Sequence, residues 1–522
     1  MAGQALETLI GNMPLQDDAQ SIEGGYVELL GETYYRIAHY DQMPPFFMSL
    51  VSSADHWLFV ASTGGLTAGR SNADSALFPY ETEDKITAHS EEAGSKTIIR
   101  VKRNGQYQQW EPFSNRYAGI YRCERHMYKN VAGDKLLFEE INHDLQLTLR
   151  TAWRTSERFG FVKSSWLQND GAACAIDLLD GLLNVLPYGA NTALQTAMSS
   201  LLHAYKRSEL DRDSGAGIFA LSATLTDRAE PSESLRATVA WQAGLDAECT
   251  LLCADQLDDF RHGRALAAEY DIRGKAGAYL VMTSFALPAQ QQKQWHVIAD
   301  VNQDRADLAR LIRFLQQDQR PIADQIEEDI DEGTRKLISY VAAADGLQLS
   351  AQETTTAHHF ANVLFNIMRG GIFADGYQVQ REDLLAFVHV RNRKVLQEQG
   401  SWFSSLPAQM PIKTLYSRAA ETRVPDLMRL CFEYLPLFFS RRHGDPSRPW
   451  NRFSINLKKG DGSRNLDYQG NWRDIFQNWE PLALSFPAYI EGFIAKFLNA
   501  TTVDGYNPYR ITRDGIEWEV PE

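Results

Sequence analysis

The hydrophobic pattern of this chain changes once, near residue 303, and that change limits the folds open to it. Between 26 and 300 there are many short runs rich in β-branched and aromatic residues, with turn-forming residues between them. This pattern is typical of a β-sandwich. Beyond 303 the apolar residues recur every three or four positions, which indicates helices. We therefore expect an all-β part followed by a helical part.

The clearest strand pair lies at residues 96–110. Two apolar-rich runs flank the dipeptide Asn104-Gly105. This dipeptide favours the positive φ angles that a two-residue hairpin turn requires. The sequence therefore predicts a β-hairpin here, and a helical stretch at 193–207 interrupts the strands further on.

Charged helical patterns follow at 304–315 and 322–343, and Pro321 separates them because it cannot donate a helical hydrogen bond. We interpret this pair as a connector that packs one domain on the other. Further helices are predicted at the end of the chain, at 355–368, 424–440 and 473–486.

The length of 522 residues exceeds what one core usually supports, so two or three domains are expected. We place a β-sandwich domain at 1–300, a helical linker at 301–345 and a helical domain at 346–522. The formal charge of −15 disfavours nucleic acid and anionic membranes as main partners, and a neutral substrate fits it better.

Several absences in the sequence point to a cytoplasmic protein. No 18-residue apolar run predicts a membrane span, and residues 1–15 lack a basic segment before an apolar core, so no secretory signal is expected. The five cysteines are few and odd in number, which fits a reducing location. We interpret Cys249 and Cys253 as buried thiols and expect no metal.

Carboxylates, arginines, amides and aromatic residues are interleaved over 441–518, and these are the groups that bind sugars. Asp474 and Asn478 lie four residues apart and share a helix face, with Asp467 and Glu480 nearby. A carboxylic acid here can protonate a glycosidic oxygen. The alternative is that Asp474 is a first-turn residue favoured by the helix dipole.

Aromatic residues in the same segment have two interpretations. Trp472, Phe476 and Trp479 stand at helical spacing, so they serve either as core or as stacking platforms. Loop-like sequence makes the remaining aromatics better candidates for stacking on a sugar ring: Trp450, Tyr468, Tyr506 and Tyr509.

Two other polar segments also suggest binding sites. Residues 62–70 are glycine-rich and end in Arg70, but they lack the Gly-Lys-Ser/Thr ending of a nucleotide-binding loop. These glycines serve either tight turns or a loop that brings Arg70 to a ligand. Around 358–377, His358, Arg369 and Asp375 lie on or after a helix and could line a domain interior, or could be solvated.

Two motifs resemble those of cellobiose phosphorylase and its relatives. Residues 138–145 with 148–150 are similar to strands of the phosphorylase sandwich. Gly470-Asn-Trp-Arg-Asp474 resembles the family motif Gly-Asp-Trp-Asn-Asp, although Asn471 and Arg473 differ from it. The resemblance implies a galactose-mutarotase-like sandwich joined to an (α/α)6 toroid of the six-hairpin glycosidase type.

The family's final aspartate is its general acid, so the resemblance assigns that role to Asp474. Inorganic phosphate, or water in a hydrolase, would attack C1 from the other face with inversion. A toroid of twelve helices needs on the order of 350 residues, whereas only about 175 follow the linker, counting from 346. We expect a partial toroid, either continued in a longer polypeptide or completed by a second chain or another copy.

The function predicted is cleavage or phosphorolysis of a glycosidic bond in an oligosaccharide, with inversion. The alternative is a non-catalytic carbohydrate-binding or scaffold protein. No cofactor is expected beyond phosphate as a co-substrate, and the ligand is an oligosaccharide or small sugar. Asp474 and Glu480 are the predicted catalytic residues, and the predicted substrate-binding residues are Arg70, Arg369, Asp375, Trp450, Arg452, Asp467, Tyr468, Trp472, Asn478, Tyr506 and Arg510.

Overall fold

The structure is a computed structural model that describes residues 8–15, 20–225, 232–317 and 321–518. The chain divides into two compact units. The first comprises the chain up to Arg335 together with Asp445–Pro449, and the second comprises Lys336–Gly444 and the chain from Trp450 onward. The domain limits predicted above stay a prediction. Residues 1–7, part of the segment inspected for a secretory signal, lie outside the described residues.

The first unit is built mainly of strands. In chain order they are β1 (Leu9–Ile10), β2 (Met13–Pro14), β3 (Glu23–Leu29), β4 (Glu32–Ala38), β5 (Phe47–Leu50), β6 (His56–Ala61), β7 (Leu66–Arg70), β8 (Gly94–Arg103), β9 (Gln106–Trp110), β10 (Cys123–Asn130), β11 (Leu136–Asn142), β12 (Leu147–Ser156), β13 (Gly160–Asn169), β14 (Cys174–Val185), β15 (Lys206–Leu210), β16 (Gly217–Leu221), β17 (Ala237–Ala243), β18 (Cys249–Leu251), β19 (Asp271–Arg273), β20 (Gly277–Leu287) and β21 (Gln292–Gln303). Its helices are α1 (Glu83–Ala88), α2 (Thr192–Ala197), α3 (Ser199–Tyr205), α4 (Leu257–Arg261) and α5 (Arg305–Gln316), and α6 (Ile322–Ala343) begins in it.

Two antiparallel sheets dominate this unit. Among the described residues, one sheet has eleven strands in the order β19-β15-β16-β17-β21-β13-β12-β11-β10-β4-β3, and the other has five in the order β18-β20-β14-β8-β9. Ile99 and Leu178 from the smaller sheet share one buried cluster with Leu149 and Val297 from the larger. The two sheets therefore face each other across one core, as in a sandwich, and the predicted fold class is confirmed for this part.

The predicted hairpin is present. Strands β8 and β9 pair from Ile99↔Trp110 to Arg103↔Gln106. Asn104 and Gly105 have φ angles of 50° and 78°, which is the left-handed region that a two-residue turn requires. The prediction succeeded because the chemistry of the turn is local.

Helices α5 and α6 lie where the two charged helical patterns predicted them, and their role as a connector stays a prediction. The side chain of Asp304 accepts hydrogen bonds from the main-chain N–H groups of Ala306 and Asp307 and so caps α5. Ile326 and Ile330 of α6 pack in a buried cluster with Trp241 of the large sheet. These apolar contacts hold the first part of α6 on the β-sandwich.

The second unit is mainly helical, as predicted. Its helices are α7 (Glu353–Gly370), α8 (Arg381–Arg391), α9 (Arg393–Glu398), α10 (Gly400–Ser405), α11 (Ile412–Thr422), α12 (Pro425–Glu433), α13 (Trp472–Ser485) and α14 (Ile490–Ala500). Short strands join them: β22 (Ile372–Phe373), β23 (Gln378–Gln380), β24 (Gln409–Pro411), β25 (Leu437–Phe438), β26 (Arg441–Arg442), β27 (Ser454–Ile455), β28 (Gln469–Asn471), β29 (Arg510–Thr512) and β30 (Ile516–Glu517).

One predicted helix is shorter than its pattern. The apolar spacing over 424–440 predicts a single helix, yet α12 ends at Glu433 and Leu437–Phe438 pairs with Ile372–Phe373 as a strand. Pro436 explains the difference, because it lacks an N–H group and disfavours helical geometry in the residue before it. The apolar residues on both sides of the break are buried, so their spacing alone did not reveal it.

Candidate functional site

Asp474 lies in the first turn of α13, which matches the helix predicted at 473–486. Asn471 precedes the helix in extended geometry, and its side-chain Nδ2 donates to Asp474 Oδ2 over 3.4 Å. Arg473 Nε lies 3.7 Å from Asp474 Oδ1, and half of the Asp474 side chain is exposed. An exposed pair of this kind is worth little. The carboxylate is therefore accessible to a ligand.

Two neighbouring elements position α13. Asn478 Nδ2 donates to Asn366 Oδ1 over 3.0 Å, and Trp479 Nε1 donates to the carbonyl of Gly370 over 2.8 Å, so α13 packs on the end of α7. Strand β28, which leads into α13, pairs with β29 so that Asn471 stands opposite Arg510. These contacts bring residues from distant parts of the sequence to the start of α13.

A cleft of about 40 Å³ lies at this junction. It is much smaller than a pocket for a drug-sized ligand, typically roughly 300–1,000 Å³. Four arginines contribute to it, and Asp474 is the one carboxylate among the described residues that line it. The lining residues are Arg369, Arg441, Arg442, His443, Asn451, Gln469, Gly470, Asn471, Asp474, Ile475, Asn478, Tyr509 and Arg510.

The arginines make the cleft strongly cationic. Burial, and next the positive charge of Arg510, lower the pKa of Arg442. Arg510 pairs with Glu517 over 2.8 Å, yet its Nε is buried and has no hydrogen-bond partner within the described residues. Buried polar atoms without partners are rare in native proteins. A planar guanidinium group presents two N–H donors that suit an anion such as phosphate.

Four predicted site residues meet in this cleft: Arg369, Asp474, Asn478 and Arg510. Sequence reasoning did not select Arg441, Arg442 and His443. The run Arg-Arg-His at 441–443 was the signal that could have identified them, because it places three basic side chains next to one another.

Arg70 lies in the first unit and has a structural role there. Its guanidinium group pairs with Asp55 and with Asp300, each over 2.7 Å, and it is largely buried. Its hydrogen-bonding capacity is directed at these two carboxylates and at the Glu157 carbonyl. The glycine-rich segment before it forms β7 and the turn that precedes β7, and the substrate-binding role of Arg70 stays a prediction.

The other predicted carboxylates do not line the cleft. Glu480 is exposed on α13. Burial raises the pKa of Asp467, whose Oδ2 accepts a hydrogen bond from Asn456 Nδ2 over 3.3 Å. Asp375 pairs with Arg464 over 3.4 Å.

The aromatic candidates divide between core and surface. Tyr468 is buried and packs edge-to-face on Trp479, and Trp472 packs on Phe497. Helical spacing was therefore a sign of packing for Trp472 and Trp479. Trp450, Tyr506 and Tyr509 are exposed, and Tyr509 also lines the cleft. The non-aromatic candidate Arg452 is exposed as well.

No group of three or more histidine, cysteine, aspartate or glutamate side chains suited to a metal ion occurs in the part of the chain that the structure describes. Among the helices so described, none is both long and apolar enough to cross a membrane.

Comparison with known proteins gives one family match. Residues 373–436 match the family model described as Glycoside hydrolase family 149 insertion domain 1. This segment runs from the end of β22 to Pro436, so it does not include Asp474. No curated protein matches the sequence of this chain.

Three solved structures show a distant likeness to the chain. A bacterial glucoamylase complexed with acarbose matches with 9% identity and a TM-score of 0.35, over 91% of this chain and 69% of that one. A human-microbiome protein assigned as a kojibiose phosphorylase matches with 10% identity and a TM-score of 0.31, over 78% of this chain and 45% of its own length. A protein of Klebsiella pneumoniae subsp. pneumoniae MGH 78578, assigned as an aldose 1-epimerase, matches with 10% identity and a TM-score of 0.24. The match covers 57% of this chain and 97% of that one.

Because these TM-scores are below 0.5, no functional conclusion is drawn from the solved structures. The similarity to a known family rests on the match of residues 373–436. This segment lies within the unit that was predicted to be glycosidase-like. Residues 373–436 are therefore similar to an insertion domain of glycoside hydrolase family 149, which agrees with the predicted resemblance to glycosidase-like phosphorylases.

Proposed function

We propose that the protein cleaves a glycosidic bond of an oligosaccharide with inversion, that Asp474 is the general acid, and that inorganic phosphate is the attacking group. The observation that carries the proposal is the composition of the cleft, in which Asp474 lies among four arginines and His443. A hydrolase has no need for so many cations at its site, whereas a phosphorylase must bind an anion beside its acid.

The chemistry requires one proton donor and one nucleophile on opposite sides of the sugar ring. The protonated carboxyl group of Asp474 gives its proton to the glycosidic oxygen as the bond from C1 to that oxygen breaks. A phosphate oxygen forms a new bond to C1 from the other face. The products are a sugar 1-phosphate of inverted configuration and a sugar chain shortened by one unit.

The arginines would bind and orient the phosphate. Arg442 and Arg510 both line the cleft, and the positive charge of Arg510 contributes, after burial, to the lowered pKa of Arg442. An anion between them offsets their mutual repulsion, so binding phosphate relieves an unfavourable interaction. The exposed half of Asp474 would then face the sugar.

The size of the cleft favours a second candidate, a non-catalytic carbohydrate-binding protein. A volume of about 40 Å³ does not enclose a sugar ring. In this candidate an exposed aromatic residue such as Tyr509 or Trp450 would contact a saccharide at the surface without bond cleavage. Phosphate would then have no effect on the saccharide.

A panel of oligosaccharides, incubated with and without phosphate, distinguishes the candidates. We expect phosphate-dependent release of a sugar 1-phosphate, and we expect Asp474→Asn to abolish release without altering the circular dichroism spectrum. Asp426→Asn is the matched control, since Asp426 is an exposed first-turn aspartate of α12 outside the cleft. Full activity in the Asp474 variant would refute its role, and saccharide binding without turnover would favour the second candidate.

Location and assembly are also proposed. We place the protein in the cytoplasm, where sugar phosphates are retained, and we propose that a second chain or a second copy supplies further helices to the helical unit. Size-exclusion chromatography with light scattering tests the assembly, and a strictly monomeric protein that turns over would contradict it.

A further inference from the structure

A cavity of about 440 Å³ lies in the β-sandwich unit. Its walls come from both main sheets: Trp110 and Glu111 at the end of β9, and Arg125 and Glu140 from β10 and β11. The loop that follows β9 lines another side, including Tyr117 and Ala118. This volume falls within the range of small-molecule sites. The cavity shares no residue with the cleft around Asp474.

We propose that this cavity is a second saccharide site, which holds a neutral mono- or disaccharide. Phe113, Tyr117 and Tyr121 line the cavity and are not buried, so their rings offer flat apolar faces that stack on the apolar faces of sugar rings. Polar side chains at the exposed edge offer hydrogen-bonding groups for hydroxyls. The aromatic lining residues are Tyr40, Trp110, Phe113, Tyr117 and Tyr121, and the exposed polar ones include Asp41, Gln42 and Asn115.

The buried charges in the wall already have partners, which argues against a charged ligand. Glu111 pairs with Arg261 over 2.7 Å and with Lys96 over 2.9 Å. Glu140 pairs with Arg125 over 2.8 Å. A ligand that brought its own charge would compete with these pairs, whereas a neutral polyol would not.

Hydrogen bonds to Glu140 fix the wall of the cavity in the absence of a ligand. One oxygen of Glu140 accepts from Trp110 Nε1 over 2.7 Å, and the other accepts from the main-chain N–H of Phe113 over 2.7 Å. Phe113 has a φ of 63°, a conformation that is unfavourable for a bulky side chain. Such strain persists only where surrounding contacts enforce it, and it is concentrated at ligand sites. The cavity is therefore preorganised around Phe113 and Trp110.

A binding experiment with the full-length chain tests the inference. Glucose, maltose and cellobiose are titrated by calorimetry into Asp474→Asn/Arg442→Gln, in which the cleft is disabled. We expect at least one of them to bind with a stoichiometry of one, and we expect inorganic phosphate not to compete. Ala118→Trp, which fills the cavity from its exposed edge, should weaken that binding at least tenfold, and Tyr117→Ala should weaken it about threefold to tenfold.

The control is Ala193→Trp, which adds the same side chain at an exposed position that does not line the cavity. Unchanged binding in the folded Ala118 variant would overturn the inference. So would the failure of all three sugars to bind at concentrations up to roughly 10 mM. Turnover by the parent protein tests the proposed function separately, because Ala118→Trp should leave phosphate-dependent turnover unchanged.

Discussion

The indole N–H of Trp479 donates a hydrogen bond to the main-chain carbonyl of Gly370 over 2.8 Å, and both groups are buried. This contact joins α13 to the last residue of α7. Arg369 is next to Gly370, and Asp474 is on the same helix as Trp479. The contact therefore helps to hold an arginine and the candidate acid at one cleft, although the two residues are far apart in sequence.

Replacing Trp479 with Phe tests this contact. The variant keeps an aromatic ring but leaves the Gly370 carbonyl without its donor, so we expect the free energy of unfolding to fall by about 1–3 kcal/mol. Urea unfolding followed by circular dichroism measures it. Trp450→Phe, at a residue that is 75% exposed, should change stability by less than about 0.5 kcal/mol. Equal effects in the two variants would show that the hydrogen bond contributes nothing.

A buried ion pair stabilises the β-sandwich. Lys163 Nζ lies 2.6 Å from Asp180 Oδ1, and neither side chain is exposed. Asp180→Asn keeps the shape but leaves the lysine charge without a counter-charge, so we expect a loss of about 3–5 kcal/mol in unfolding free energy. Glu398→Gln, which removes an exposed pair with Lys394, should cost less than about 0.5 kcal/mol. A loss below about 1 kcal/mol for Asp180→Asn would contradict the prediction.

His296 should make the protein sensitive to acid. Burial, and next the positive charge of Arg154, lower its pKa to about 4. Between about 6.5 and 4 the unfolded chain binds a proton that the folded chain does not, so stability falls as the pH falls through this window, by up to about 3 kcal/mol. His296→Gln should reduce that fall when urea unfolding is compared between pH 7.5 and pH 4.5. If the unfolding free energies of parent and variant fall equally between pH 7.5 and pH 4.5, His296 is not the cause of the acid sensitivity.

Lys496 should give a pH dependence of the same sign at neutral to alkaline pH. Burial, and next the positive charge of Arg391, lower its pKa to about 7. Above that pH the folded chain has released a proton that the unfolded chain retains until about 10.4. Stability should therefore rise with pH between 7 and 10, by at most about 1.4 kcal/mol per pH unit. Lys496→Met should flatten the profile, and a profile that stays steep would assign the dependence to another group.

Local chemistry allowed much of the fold to be predicted. The Asn104-Gly105 turn and the bounds of α6 depend on a few adjacent residues and on a regular apolar period, and both appear as expected. The prediction of one helix over 424–440 was wrong beyond Glu433, because Pro436 disfavours a helix even though the apolar spacing continues. The relationship of 373–436 to a glycosidase family agrees with the motif-based resemblance.

The sites depended on contacts between distant residues, which the sequence does not display. Arg70 followed a glycine-rich loop and looked available for a ligand, but Asp300, 230 positions further along the chain, pairs with it. Arg510 reaches the cleft only because its strand pairs with the one that leads into α13. Sequence by itself determined the β-then-α order and the residue types available for chemistry. Tertiary structure decided which charges meet, because ion pairs and strand pairing form between residues that only folding brings together.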